Sequence, residues 1–152
     1  GNDVGNAIAI DSSGTSYVTG YFRETAAFGS TDITASGTTF ATFVAAVSSD
    51  GTWQWAVQAG GASMDVGNDI AVDSFGTSYV AGYYRDTASF GSANLTSAGH
   101  NDLFVGAVSS AGRASNRAPC PHACSAIAAR SSHKPWRTVS GMAFDAVINL
   151  VG

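Results

Sequence analysis

GTSYVTGYFRETAAFG, residues 14–29, returns as GTSYVAGYYRDTASFG at residues 76–91. Aligning residues 5–29 with 67–91, an offset of 62, gives 18 identities in 25 positions. The changes are mild: Ile10 to Val72, Phe22 to Tyr84, Glu24 to Asp86. Further on, FVAAVSSDG (43–51) matches FVGAVSSAG (104–112) at an offset of 61. One residue is therefore lost between Gly91 and Phe104. That loss belongs in a loop, because a one-residue slip in a packed strand turns every side chain to the wrong face. Self-similarity of this kind signals a repeat architecture.

Each copy reads as four strands. The first is Ala7–Ile10, or Asp69–Val72, closed by the turn DSSG or DSFG. Asp bonds its own backbone two residues on and Gly accepts positive φ, so the turn has a mechanism. The second is Ser16–Phe22, or Ser78–Tyr84, rich in β-favouring Tyr, Val and Phe. The third is Thr42–Val47, or Leu103–Val108, and the fourth is Trp53–Ala59, joined by SSDG. A small hairpin fits AFGSTDIT and SFGSANLT between the second and third strands. Alternation puts Trp53, Trp55 and Val57 on one face. Gly20 and Gly82 sit mid-strand, which marks a close backbone approach, expected here from a sheet stacked face to face. Both faces of the strands carry apolar or small residues, so covered sheets are expected on both sides. Four-stranded units that must stack to bury their faces are the blades of a β-propeller.

The repeat GNDIAVDSFGTSYVAG (67–82), followed by FVGAVSSAG, resembles the bacterial SBBP β-propeller repeat. Trp53–Gly61 supplies the aromatic strand ending in Gly-Gly that such repeats carry, and the I-A-V-D-x-x-G-x-x-Y-V core is also similar to NHL repeats. The resemblance covers residues 1–112. It implies an extracellular or cell-surface protein, longer propellers of more blades, and no catalytic residues. The fold class expected is all-β: about two four-stranded antiparallel blades of an incomplete propeller, with an irregular C-terminal segment. Blade 1 spans about 5–61 and blade 2 about 67–112, the latter with its fourth strand missing.

Composition agrees. Only 12% of the 152 residues are charged, about half the usual share, and Gly, Ser, Thr and Ala fill the gap. Residues 1–112 hold ten acids against Arg23 and Arg85, a net −8, whereas residues 113–152 hold five bases against Asp145, a net +4. The acidic blades offer no basic face to nucleic acid. No apolar run approaches the roughly 18 residues of a membrane span, and no signal peptide is visible, so no membrane insertion is expected.

The pattern breaks after Gly112. Residues 113–138 replace the expected W-x-W-A-V-Q-A-G-G strand with an Arg-, Ala-, Pro- and Cys-containing stretch. Two origins fit: an inserted loop, or a segment read in a shifted frame. Residues 139–152 read as a degenerate start of a third repeat, with Met142–Asp145 in the place of Asp69–Val72 plus Asp73.

Candidate chemistry is sparse. Cys120, His122, Cys124 and His133 are zinc-ligand types at the wrong spacing, since structural sites pair cysteines as C-x2-C or C-x4-C. Two free thiols or a Cys120–Cys124 disulfide are the other readings. Asp65, Asn68, Asp69 and Asp73 supply the hard oxygens calcium takes, but no D-x-D-x-D-G loop is present, and Asp11 and Asp73 read as turn residues. Tyr21 and Tyr83 within strand two, and Arg23 and Arg85 just after it, could face a ligand; the plainer reading is packing for the tyrosines and a solvated turn for the arginines. No nucleophile elbow, oriented base or phosphate loop occurs, and no cofactor is implied. The function expected is a non-catalytic scaffold whose partners are neighbouring blades, a further copy met through exposed blade edges, or a protein or glycan ligand. The alternatives are part of a carbohydrate-binding or hydrolytic propeller whose active residues lie in other blades, and a gene fragment without independent function.

Overall fold

The computed structural model describes residues 1–112 and the backbone of 127–129. In chain order the strands are β1 (Val4–Ile10), β2 (Ser16–Phe22), β3 (Thr25–Phe28), β4 (Thr31–Thr34), β5 (Ala41–Val47) and β6 (Trp53–Gly61). The second copy gives β7 (Val66–Val72), β8 (Ser78–Tyr84), β9 (Thr87–Phe90), β10 (Ala93–Thr96) and β11 (Asp102–Val108), followed by β12 (Ile127–Ala129). Among the described residues there is no helix.

Blade 1 is the antiparallel run β1-β2-β5-β6, and blade 2 is the run β7-β8-β11-β12. The turns follow the sequence chemistry. Asp11 Oδ1 accepts from the backbone N–H groups of Ser13 (2.9 Å) and Thr15 (3.0 Å), and Asp73 Oδ1 does the same for Phe75 and Thr77 at 2.9 Å each. Tyr17 and Tyr79 each donate a hydroxyl to the second oxygen of that aspartate at 3.1 Å.

The lost residue is now placed. The Ala35 N–H bonds the Glu24 carbonyl and the Ser97 N–H bonds the Asp86 carbonyl, both at 2.8 Å, so the offset is still 62 there. The next strands begin at Ala41 and Asp102, an offset of 61. The loop 97–101 is thus one residue shorter than the loop 35–40, and neither copy shifts a strand register.

Each hairpin after strand two folds over one face of its blade. Under β3–β4 lie Phe22, Ala26, Ile33, Phe43 and Ala45. Under β9–β10 lie Tyr84, Ala88, Phe90 and Phe104, with Leu95 packed against them. The other face of blade 1 turns to blade 2, and Tyr17, Val44 and Ala46 join Ile70, Val80 and Val108 in one core.

Three expectations are corrected. Trp53 and Trp55 do not share a face: the β5–β6 ladder pairs Ala46 with Trp55 but Val47 with Trp53, so a bulge at Gln54 resets the alternation. Trp53 packs edge-on to Phe28 at 5.1 Å, whereas Trp55 faces Tyr17 at 6.0 Å on the blade 2 side. Gly20 and Gly82 are not approached by a stacked sheet. A methyl at Gly20 would overlap the Val4 carbonyl, and one at Gly82 the Val66 carbonyl, because the partner strand within the same sheet bulges there, between Gly5 and Ala7 and between Gly67 and Asp69. Finally, blade 2 carries a three-residue strand in its fourth place: Ile127–Ala129 pair with Val105–Leu103, as Val57–Ala59 pair with Val44–Thr42. No sequence match to β6 announces it.

The bulge yields a prediction. Gly20→Ala forces backbone apart and is expected to cost about 2 kcal/mol or more in urea unfolding. Gly99→Ala, with open space around it and no left-handed φ, is expected to stay within about 0.5 kcal/mol of the parent.

Candidate functional site

The richest cluster of specific contacts is the junction between the blades. It begins with the bulge in β7, which leaves Gly67 without a side chain against blade 1. A methyl on Gly67 would press on Thr19 Oγ1 and would stand 3.2 Å from Thr42 Cγ2. The bare backbone therefore lies directly on the blade 1 face. Asn6, from the matching bulge in β1, donates its side-chain amide to the Gly67 carbonyl at 2.7 Å. Thr19 is fully buried and turns its hydroxyl to the Phe43 carbonyl at 2.8 Å.

A second tie lies at the start of blade 2. Asp65 is completely buried. Its Oδ2 accepts the Gly61 N–H at 2.7 Å, its Oδ1 accepts the Arg85 N–H at 3.3 Å, and its own N–H donates to the Phe40 carbonyl at 2.9 Å. Gly60 leaves the room: a Cβ there would sit 2.6 Å from Asp65 Oδ2. Burial pushes the Asp65 carboxyl up to about 6, with the nearby Asp86 carboxylate adding to the rise and the two backbone donors opposing it. Its copy in blade 1, Asp3, accepts the Arg23 N–H at 3.4 Å and is exposed. Trp55 forms the third tie, donating its indole N–H to the Ser110 carbonyl of blade 2 at 2.9 Å.

The four rim candidates occupy one end of the blades. Tyr21 stacks edge-on to Phe40 at 4.8 Å, and the Tyr83 hydroxyl reaches the Met64 sulfur at 3.4 Å. Arg23 and Arg85 are exposed, and among the described residues neither guanidinium is in an ion pair. The acids beside them are turn residues: Glu24 and Asp86 have φ of 68° and 58°, so the chain reverses there into β3 and β9. Asp86 is further held by the hydroxyl of Ser63 and, through its N–H, by Ser97 Oγ at 2.9 Å.

The calcium candidates are not brought together. Asp65 and Asp73 stand at opposite ends of the seven-residue β7, roughly 25 Å apart at the rise of a strand. Asp69 Oδ1 caps the Ile70 N–H at 2.9 Å, and Asn68 is exposed. Cys120, His122, Cys124 and His133 lie outside the described residues. A cavity of about 170 Å³ opens between the end of β6 and the β9–β10 hairpin, lined by Ser36, Gln58, Gly60 and Ser89 among others. Gln58 Oε1 is buried in it without a partner. Its volume is below the roughly 300 Å³ at which pockets for drug-sized ligands begin.

Sequence reasoning missed Asn6, Gly67 and the Gly60–Asp65 contact. The signals were present: the Gly-Asn doublet recurs at 5–6 and 67–68, and Gly-Gly ends β6. Two predictions follow from the ties. Asn6→Ala is expected to lower unfolding free energy by about 1 kcal/mol, since one inter-blade hydrogen bond is lost and the Gly67 carbonyl is left alone. For Asp65, the folded pKa stands above the ordinary value of 3.8. The folded state then binds more protons between about pH 4 and 6, so stability falls as pH rises through that window and stays level above it. The difference between the wild type and Asp65→Asn should therefore change by on the order of 2 kcal/mol between pH 4 and 7, read as thermal midpoints across a pH series.

The family model described as SBBP, beta-propeller repeat, matches residues 54–83. That span runs from β6 of blade 1, across Asp65 and Gly67, to β8 of blade 2. No protein among the curated ones matches the chain. The repeated blades, the junction between them and the match across it agree: the chain carries an SBBP-type β-propeller repeat.

Proposed function

We propose that the chain is a non-catalytic propeller module, a scaffold that presents its inter-blade loops on an exported or cell-surface protein and is completed by neighbouring blades. One observation supports this above the others. Ile8 and Ile10 of blade 1 are 61% and 63% exposed, whereas Ile70, the copy of Ile8 in blade 2, is 7% exposed because blade 1 covers it. Covering one such side chain stabilises by about 1.5–3 kcal/mol. A further blade set against blade 1 would gain this for both.

The loops favour a scaffold over an enzyme. The reversals at Arg23-Glu24 and Arg85-Asp86 are the same structure twice, held by the same hydrogen bonds from Ala35 and Ser97. Active groups would instead differ between blades and converge. A protein or glycan partner would meet the rim of half-buried Tyr21 and Tyr83 and exposed Arg23 and Arg85, where aromatic side chains stand beside cations that form no ion pair among the described residues.

The test is a chain with residues 1–62 duplicated ahead of Gly1, which adds one blade in phase. A stacking scaffold should gain at least about 5 °C in thermal midpoint, and the amides of Ile8 and Ile10 in the now internal blade should exchange more slowly. An unchanged midpoint with unprotected amides would reject the reading.

A further inference from the structure

The face that blade 1 buries against blade 2 has a copy on blade 2 that nothing among the described residues covers. Thr42 is 1% exposed, and its counterpart Leu103 is 41% exposed. Thr19 is fully buried, and its counterpart Ala81 is half-buried. Tyr17 is buried, and Tyr79 is half-buried. Asn6, although exposed, bonds the Gly67 carbonyl across the junction, and its counterpart Asn68 is exposed in the same place on blade 2. At the other end of the stack the relation inverts. Ile70 and Gly67 are buried on blade 1, while Ile8 and Gly5, their counterparts, are exposed. Among the described residues two different surfaces are therefore open, each similar to one half of an interface that the same chain already forms inside itself.

We propose that a second copy of this chain occupies the open face of blade 2 with its blade 1, head to tail, repeating the internal junction between molecules. The inference rests on the stacking reading above. In the repeated junction, Gly5 of the incoming copy lies over Ala81 and Leu103, as Gly67 lies over Thr19 and Thr42. Asn68 donates to the incoming Gly5 carbonyl, as Asn6 donates to Gly67. Ile8 enters the place that Ile70 fills. The bulge in β1 is what permits this. Like the bulge in β7, it presents a glycine backbone, so at that position no side chain stands between the sheets.

Such a contact joins unlike patches, so it propagates until the rotation closes. Propellers close at typically four to eight blades, which corresponds to about two to four copies of a two-blade chain. Val105 and Ala107 repeat Val44 and Ala46 on the open face, and Ile8 repeats Ile70 on the incoming one, whereas the Trp55 tie has no counterpart among the described residues. Ile8 and Leu103 are exposed in the single chain, and charging either should leave the fold intact.

The experiment uses the full chain in analytical ultracentrifugation between 1 and 200 µM, with Ile8→Asp, Leu103→Asp and their equimolar mixture. The wild type is expected to rise from one to about two to four times the monomer mass. Each variant alone should remain a monomer. The mixture should form a one-to-one dimer and nothing larger, because one partner keeps only its open blade 2 face and the other only its open blade 1 face. Ile10→Lys and Ala81→Arg repeat the design if either first variant loses its β-sheet circular dichroism. A monomeric wild type whose Leu103 and Ala81 amides are slow to exchange gives that face to residues 113–152 of the same chain and overturns the proposal. Variants that associate as well as the wild type assign the contact to sheet edges and also overturn it, and so does a mixture that stays monomeric. A duplicated blade that stabilises the chain while separate chains stay apart would reject self-assembly and leave the stacking scaffold standing.

Discussion

Two sheets can stack closely only where one of them has no side chains, and Gly67 provides that place. Its backbone rests on Thr19 and Thr42, and its carbonyl, which would otherwise be buried and unpaired, takes the Asn6 amide. A buried carbonyl without a donor costs about 1–3 kcal/mol. The Asn6 bond removes that cost, and it also fixes which residue of one blade meets which residue of the next. Ile70, Val80 and Val108 then fall onto Tyr17, Val44 and Ala46 as a consequence of that alignment. The apolar core supplies most of the gain in free energy, while the glycine and the amide determine its register.

The bulges in β1 and β7 have a double effect. Each lifts a carbonyl toward the next strand in its own sheet, which is why Gly20 and Gly82 lack side chains. In β1 the bulge also turns Asn6 toward blade 2, and in β7 it turns Gly67 toward blade 1. A single local irregularity therefore connects pairing within a blade to stacking between blades. The repeat keeps the whole set of residues together, at 5, 6 and 20 and again at 67, 68 and 82.

Much of the fold was legible because its signals are local. Turn aspartates, β-branched and aromatic runs and repeated spacing located β1, β2, β5, β6, β7, β8 and β11 to within a few residues, and the hairpins β3–β4 and β9–β10 fell where AFGSTDIT and SFGSANLT placed them. What escaped depended on a partner elsewhere in the chain. The bulge at Gln54 is an event between β5 and β6, and strict alternation along one strand cannot contain it. Gly20 announced a close approach, but not which strand made it. Asp65 looked like a metal ligand when grouped with its sequence neighbours. Its actual partners, Gly61 and Arg85, lie on either side of it in sequence and meet it only because β6 and β8 end beside one another. The strand at Ile127–Ala129 had no repeat to match, and only its pairing on β11 reveals it.

The end of β6 belongs to both blades. Gly60 and Gly61 pair with Ser89 and Ala88 of the second blade's hairpin, so one six-stranded sheet, β1-β2-β5-β6-β9-β10, runs across the boundary that the repeat draws. The unit of duplication and the unit of hydrogen bonding are therefore out of step. Neither blade can open along its full width without breaking ladder bonds that the other also uses. Loss of structure should then spread through both in one cooperative transition, with a denaturant slope set by the surface of the pair, rather than in two successive steps of one blade each.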